Sequence, residues 1–415
     1  MEKIYSNYCG VDVHKKLLVV CFVQGRKHEV REFGTSTRYL VELAEWLLEG
    51  KCEMVAMEST GSYWKPLYNV LEINGINAMV VNAHHMKAVP GRKTDVKDAE
   101  WIADLLGHGL LTPSFIPDRA QRELRELLGY RKSLVADKAR ELNRLQKMLE
   151  GGNIKLSGTV RDINGMSARN LLEALLSGKK ITEDLLEEMH ESKKISNHLK
   201  ASYTQIAEDM EGVLSPLQCR MMRELLKHID EIDEHIANLD DEIDNNMNKE
   251  QKDAVNSLDT IPGIAKDCAK AIVSVVGTCL DRFPTAAHLC SWAGICPGNN
   301  ESAGKRKTGR TRKGNNLLKS TLVICAHSAV RVKSSYFYAQ FQRISTHRGK
   351  KRAYVAVAHS MLTAVYYMLK NKEHFKDLGS DYYSKFNPER KIKGLLKKLA
   401  ELGCTAEDAA YLLHQ

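Results

Sequence analysis

Short apolar runs alternate with helix-like apolar spacing over roughly the first hundred residues, and this alternation confines the start of the chain to an α/β layer. Cys9-Gly10-Val11-Asp12-Val13 and Leu17-Leu18-Val19-Val20-Cys21-Phe22-Val23 read as two strands with His14-Lys15-Lys16 at the turn, and Gln24-Gly25-Arg26-Lys27 leads into a third near His28 to Phe33. A helix from Thr37 to Glu49, a strand from Glu53 to Met57, a helix from Tyr63 to Ile73 and a strand from Ala78 to Val81 follow. Pro90 and Gly91 then punctuate the chain, Thr94 is a good N-cap, and Val96, Ala99, Ile102, Ala103, Leu106 and Leu110 recur at helical spacing, so a helix starts at about Asp95.

Four carboxylates stand out in this layer. Asp12 lies inside an apolar strand, where an unpaired charge would be expensive. Glu58 directly follows the buried-looking Met54-Val55-Ala56-Met57, at the carboxyl end where open α/β sheets collect ligands. Asp95 and Asp98 are three apart on one edge of the helix that follows, and like charges held there repel unless a cation separates them. Taken alone, the helical pair is explained by the positive end of the helix dipole, and a lone Glu at a strand end means little. All four together are what two Mg2+ ions need to clamp the attacking and leaving oxygens of a phosphodiester. The expected fold is α/β followed by α, with a ribonuclease-H-like domain over residues 1–115.

At 415 residues the chain is too long for one ordinary domain. The helical pattern from about Asp118 to Leu149 carries Leu128, Val135, Leu142 and Leu149 seven apart, interrupted by Arg131 and Lys138. After a mixed segment, Leu225, Ile229, Ile232, Ile236, Leu239 and Ile243 alternate four and three apart, an a/d seam of a helical hairpin or coiled coil that packs on the first helix or on another chain. Residues 116–252 are therefore read as a helical middle, 253–370 as a mostly helical third domain, and 371–415 as a basic helical tail. The third domain opens with Ile261-Pro262-Gly263-Ile264, which looks like a helix-hairpin-helix turn able to hold a phosphate without reading sequence, although Ala265 stands where a second Gly is usual.

Charge is unevenly spread. Lys and Arg number 61 against 52 acids, a net +9, yet no acid occurs from Ser302 to Lys372, and Lys305 to Arg352 holds fourteen Lys and Arg. That is the footprint of a nucleic-acid surface. Ser302 opens its basic, glycine-punctuated loop, and Lys305, Arg306, Lys307, Arg310, Arg312, Lys313 and Lys319 are its candidate phosphate contacts. Such loops are usually solvated binding surface, and no local His or Asp marks a base for the serine. The ten cysteines form no Cys-x-x-Cys pair and no zinc spacing, so they read as reduced thiols of a cytoplasmic protein. No apolar leader follows Glu2 and Lys3, and the longest apolar segment, Tyr354 to Leu369, is short and broken by His359 and Ser360, so secretion and membrane insertion are excluded.

The order Gly10-Val11-Asp12-Val13-His14-Lys15, Met57-Glu58-Ser59-Thr60-Gly61, Lys93-Thr94-Asp95-x-x-Asp98-Ala99, Ile261-Pro262-Gly263-Ile264, and Ser302-x-Gly304 ahead of Gly309-Arg310-x-x-Lys313-Gly314 resembles the insertion-sequence one-hundred-and-ten family of transposases. The resemblance implies a RuvC-like Asp-Glu-Asp-Asp set at Asp12, Glu58, Asp95 and Asp98 holding Mg2+. It also implies a nucleophile at Ser302, a composite site joining the two, and a serine-linked DNA intermediate. Donor and target double-stranded DNA, a guiding bridge RNA and a bacterial or archaeal setting on the nucleoid belong to the same implication. Thr311 and Arg312 stand where Ile-Ser is common in that family, and Lys319 where Arg is usual. The expected activity is recombination of an insertion sequence by a homodimer or homotetramer, since strand exchange needs several sites held together. Two rivals share part of the pattern. A RuvC-like junction endonuclease would use the carboxylates without the serine, and a non-catalytic DNA-bridging protein would tolerate loss of Asp12.

Overall fold

The computed structural model describes residues 3–82, 95–298, 300–302, 305–386, 388–401 and 403, with Asp95 and Ser302 described by their backbone alone. Pro90 to Thr94, including the expected N-cap, lie outside the described residues. The chain divides into two compact units, Met1–Asp118 and Arg119–Gln415.

The first unit is built on strands β1 (Asn7–Val13), β2 (Leu17–Gln24), β3 (Lys27–Gly34), β4 (Met54–Glu58) and β5 (Ala78–Val81), with helices α1 (Thr37–Glu49), α2 (Trp64–Ile73) and α3 (Asp95–Gly107). Their order in the sheet is β3-β2-β1-β4-β5, with β2 antiparallel to β1 and β3, and β4 parallel to β1 and β5. The two-residue period of a strand splits its side chains between two cores. Cys9, Val11 and Val13 pack with Val55 and Met57 against Leu43 and Leu47 of α1 and Leu67 and Leu71 of α2. Tyr8 and Ala56, on the opposite face, meet Ala99, Ile102, Ala103 and Leu106 of α3. Because both faces of the central strands are covered, they read as nearly unbroken apolar runs. Asp12 is the charged exception, only 5% exposed.

Gly10 sets how closely α3 approaches. A β-carbon there would lie 2.3 Å from the amide nitrogen of Ala103 and 2.4 Å from the carbonyl oxygen of Ala99. The Ile4 amide donates to the Gly107 carbonyl at 2.8 Å, so α3 runs antiparallel to β1 and its first turn lies toward the Asp12 end.

The second unit starts with α4 (Arg119–Gly151), followed by α5 (Leu156–Thr159), α6 (Met166–Leu176), α7 (Glu183–Glu191), α8 (Tyr203–Asp209) and α9 (Pro216–Asn246). Lys138 reaches Asp233 at 2.7 Å and Arg131 reaches Asp240 at 2.8 Å, a descending order that makes α4 and α9 an antiparallel pair. The two residues that interrupt the α4 pattern are thus its ionic ties to α9. Ile229, Ile232 and Ile243 of the expected seam are buried where α9 packs on α4, together with Met222, whereas Leu225, Ile236 and Leu239 are half-buried. One expectation fails on α4: Val135 is 45% exposed and its neighbour Leu134 is buried.

Helices α5 to α8 form a lobe whose core, including Leu156, Leu171, Leu172, Leu186 and Ile206, merges with Leu145, Leu149, Met222 and Ile229 of the long pair. The chain enters and leaves it through one neck, where the Val213 amide donates to the Gly152 carbonyl at 3.0 Å and the Lys155 amide to the Asp209 carbonyl at 2.8 Å.

Beyond the lobe come α10 (Lys249–Leu258), α11 (Lys266–Val276), α12 (Ala286–Trp292), strands β6 (Asn300–Ser302) and β7 (Lys305–Thr308), α13 (Asn316–Ala329), α14 (Tyr336–Arg348), α15 (Lys350–Asn371), α16 (Tyr382–Phe386) and α17 (Pro388–Glu401). α4 clasps α11 at both ends. Arg131 binds Asp267 in its first turn at 2.9 Å, and Gln121 and Arg125 donate to the Ser274 carbonyl in its last turn at 2.9 and 3.1 Å. The nine described cysteines are free thiols, but only Cys9, Cys21, Cys290 and Cys325 are the core residues expected, since Cys279 is exposed and the others are half-buried. Among the described residues no helix is long and apolar enough to cross a membrane.

Candidate active site

The parallel register pairs Val11 with Met57, so the next residues, Asp12 and Glu58, stand side by side on adjacent strands. Both belong to the face that α3 covers, because Tyr8 and Ala56, an even number of residues earlier on each strand, pack against that helix. Ala99 touches Gly10, and the antiparallel run of α3 carries Asp98 and then the backbone of Asp95 toward the same sheet end. Three elements separated in sequence therefore bring all four predicted positions to one end of one face.

Burial differs among them. Asp12 is buried, whereas Glu58 and Asp98 are half-buried. The Thr60 hydroxyl donates to Glu58 Oε1 at 3.2 Å, and the backbone after Glu58 is held by Ser59, whose amide donates to the Val81 carbonyl at 2.9 Å. His14 is a neighbour to which no role was assigned from sequence: its Nε2 lies 3.0 Å from Asp12 Oδ2. Its signal was there in the strand period, since positions 10, 12 and 14 share a face. Among the described residues no three carboxylate, imidazole or thiol groups gather closely enough to hold a metal ion. An all-oxygen set containing a buried carboxylate nevertheless fits a hard cation such as Mg2+ in its chemistry.

Ser302 occupies a different setting from the one expected. In place of an open loop there is a β-hairpin, with Ser302 paired to Lys305 and Glu301 to Arg306. Its stem continues into the body of the second unit, where the Gly298 amide donates to the Arg310 carbonyl at 2.8 Å and Pro297 bridges Thr311. Gly294, at φ +72°, lets the two legs touch: a β-carbon there would lie 2.8 Å from the Arg312 carbonyl oxygen and the Gly314 amide nitrogen. The strands escaped notice in the sequence because both their faces are polar, so no apolar alternation marks them. Ser302 thus stands on the last paired position before the hairpin tip.

Of the basic candidates, Arg310, Arg312 and Lys313 are exposed. Lys319 is half-buried, and its Nζ donates to Thr311 Oγ1 at 2.7 Å, so it anchors the returning leg of the hairpin to α13. Lys305, Arg306 and Lys307 lie along β7.

Comparison with known proteins gives the family. A transposase model of the DEDD IS110 type matches residues 9–154, and a second, described as transposase IS116/IS110/IS902 family, matches residues 255–342. The two matches together take in more than half of the sequence, and the chain belongs to the IS110 family of transposases. A curated transposase for insertion sequence element IS1533 from Leptospira borgpetersenii is 26% identical over 167 residues, 37% of this chain and 46% of that protein. The chain thus spans about half the length of this relative. Among solved structures, T. thermophilus RuvC in complex with a Holliday junction substrate is similar over 26% of this chain and 100% of its own, at 14% identity and a TM-score of 0.21.

Proposed function

We propose that this transposase cuts and rejoins double-stranded DNA of an insertion sequence, with Asp12, Glu58, Asp95 and Asp98 as Mg2+ ligands, Ser302 as nucleophile and a bridge RNA as guide. The observation that carries the proposal is the arrival of Asp12, Glu58 and the first turn of α3 at one end of one sheet face. The strand order 3-2-1-4-5, antiparallel through β1 and parallel beyond it, is that of a ribonuclease-H-like sheet and supports the same reading. Bound there, the metal would polarise the phosphodiester and offset charge on its oxygens.

The protein's own residues do the rest. Asp12 and Glu58 orient the metal-binding end of the sheet, and Thr60 holds the Glu58 carboxylate in place. Ser302 attacks phosphorus: an oxygen–phosphorus bond to serine forms, the phosphodiester bond to the leaving strand breaks, the proton that the serine gives up is balanced by the one the departing oxygen takes up as a free hydroxyl, and the bond energy is retained in the phosphoserine link. Rejoining to a new strand then needs no ATP. Lys305, Arg306, Lys307, Arg310, Arg312 and Lys313 bind the DNA or RNA backbone. Strand exchange between two duplexes calls for a homodimer or homotetramer.

The decisive experiment compares wild type and Ser302→Ala on donor and target DNA with the co-purifying RNA. Wild type should form a protein–DNA adduct that survives denaturation, and Ser302→Ala should bind DNA yet form neither adduct nor recombinant. Normal recombination by Ser302→Ala would move a RuvC-like junction nuclease ahead. Cleavage that persists in EDTA would remove the metal from the proposal, and site-specific recombination after RNase treatment would remove the guide.

A further inference from the structure

The end of α13, the end of α14 and the start of α15 meet around a ladder of rings. Phe341 of α14 is buried, Tyr354 of α15 packs on it with ring centroids 4.6 Å apart, and His327 of α13 stacks on Tyr354 at 3.5 Å with 20° between the planes. The ladder runs outward, for Tyr354 is half-buried and His327 exposed. One face of the imidazole is taken by Tyr354, and the other is open to solvent. A ring backed by two others is already oriented when a base arrives, which is what a stacking platform requires.

Cations flank the ladder. Arg331 comes soon after His327, Lys350 and Lys351 stand one turn before Tyr354, and Arg348 closes α14 just ahead of the Gly349 turn. All four are exposed, and among the described residues no carboxylate pairs with any of them. By contrast, Arg131, Lys138 and Lys270 of the same unit are neutralised by Asp240, Asp233 and Asp244. A surface of unpaired positive charge calls for a polyanion, and the open ring beside it selects one that carries flat bases. The platform also connects to the Ser302 hairpin. Asn316, Ser320, Ile324 and His327 follow one another along one side of α13; Asn316, Ile324 and His327 are exposed, and Lys132 of α4 donates to the Ser320 hydroxyl. The returning leg of the hairpin is anchored near the start of the same helix by the bond from Lys319 to Thr311, an axial distance of about 12 Å from His327.

We propose that this side of α13 and the α14–α15 corner hold single-stranded nucleic acid leading to the Ser302 hairpin, with an unpaired base stacked on His327 and the phosphates beside it on Arg331, Arg348, Lys350 and Lys351. A duplex does not fit the platform, because its bases are already stacked on one another and it shows a surface only phosphates and groove edges. An RNA and a DNA strand freed from its complement offer the same chemistry here, a flexible phosphodiester with open base faces. The contact rests on the reading of this chain as a nucleic-acid enzyme but not on the serine, since strand binding is measurable whether or not Ser302 forms an adduct.

The test measures binding of the full chain to short labelled single strands of RNA and of DNA, and to a duplex, by fluorescence anisotropy. His327→Ala should weaken single-strand binding about tenfold, as loss of one stacked base does, and leave the duplex unchanged, whereas His327→Tyr keeps a ring and should bind like wild type. On an abasic strand, wild type and His327→Ala should bind alike. The strand on which His327→Ala loses more, RNA or DNA, identifies the source. Replacing Lys350 and Lys351 together by Gln should flatten the slope of log affinity against log salt by about 1.4, about 0.7 for each phosphate contact. Independently of any variant, a strand carrying thiouracil and irradiated on wild type should become linked to the peptide that holds His327. Unchanged single-strand affinity in folded His327→Ala, an equal loss on duplex, or a thiouracil link found only elsewhere overturns the proposal. So does a lysine pair whose replacement lowers the mass of the free protein in light scattering and spares strand binding, which gives the surface to a second copy.

Discussion

Replacing Gly10 by Ala adds one methyl group at the point where β1 meets α3, and its three nearest neighbours, at 2.3, 2.4 and 2.9 Å, are backbone atoms that no rotamer change can move. To restore 3.4 Å at the closest pair, the helix and the strand must separate by about 1.1 Å. Overpacking of this kind costs about 1–3 kcal/mol, and the upper end is expected with only backbone to yield. The same movement shifts the first turn of α3, with Asp95 and Asp98, against Asp12 and Glu58, and a misplacement of about 1 Å can cost about 100-fold in rate. Gly10→Ala should therefore lower the urea midpoint and, under conditions where it is still folded by circular dichroism, cut DNA about 100-fold more slowly. Gly129→Ala is the control, for nothing lies within 4 Å of a β-carbon there; in mid-helix it should stabilise α4 by up to about 1 kcal/mol and leave cleavage unchanged. A Gly10→Ala protein with wild-type midpoint and rate would refute the close-packed geometry of the candidate site.

Arg131→Met strips Asp240 and Asp267 of a common partner whose side chain is only 19% exposed, and should cost about 2 kcal/mol by urea unfolding. In that background Asp240→Asn should add little further, and an additive loss would argue against the bridge. Leu134→Ala should cost about 2 kcal/mol whereas Val135→Ala costs under about 0.5; the reverse order would restore the strict heptad register on α4. Nucleic-acid affinity should fall steeply with salt if the acid-free stretch from Ser302 to Lys372 binds phosphates, which filter binding across a salt series would measure.

The strands and helices of the first unit were legible because each carries its own period: residues 9–13, 17–23 and 28–33 were read as strands, and β1, β2 and β3 extend them by a residue or two. The carboxylates could be picked out singly, Asp12 by its charge in an apolar strand and Glu58 by its place at a strand end. Their common face was harder to see, since it depends on the pairing of Val11 with Met57, a register no local pattern records. The hairpin carrying Ser302 left no hydrophobic trace, and the lobe from Ile154 to Gly212 consists of helices too short for their spacing to declare a face. Arg131 and Lys138 looked like faults in a heptad until Asp240 and Asp233 supplied their partners.

The shared neck of the lobe has an evolutionary reading. A segment whose first and last residues are already hydrogen-bonded neighbours, Gly152 to Val213 and Lys155 to Asp209, can lengthen, shorten or be exchanged without altering the path of the helices that carry it. Such a change must renew the cover over Leu145, Leu149, Met222 and Ile229 and the tie from Arg169 to Asp230. The two family matches stop at residue 154 and resume at 255, so the lobe lies in the stretch that neither of them takes in.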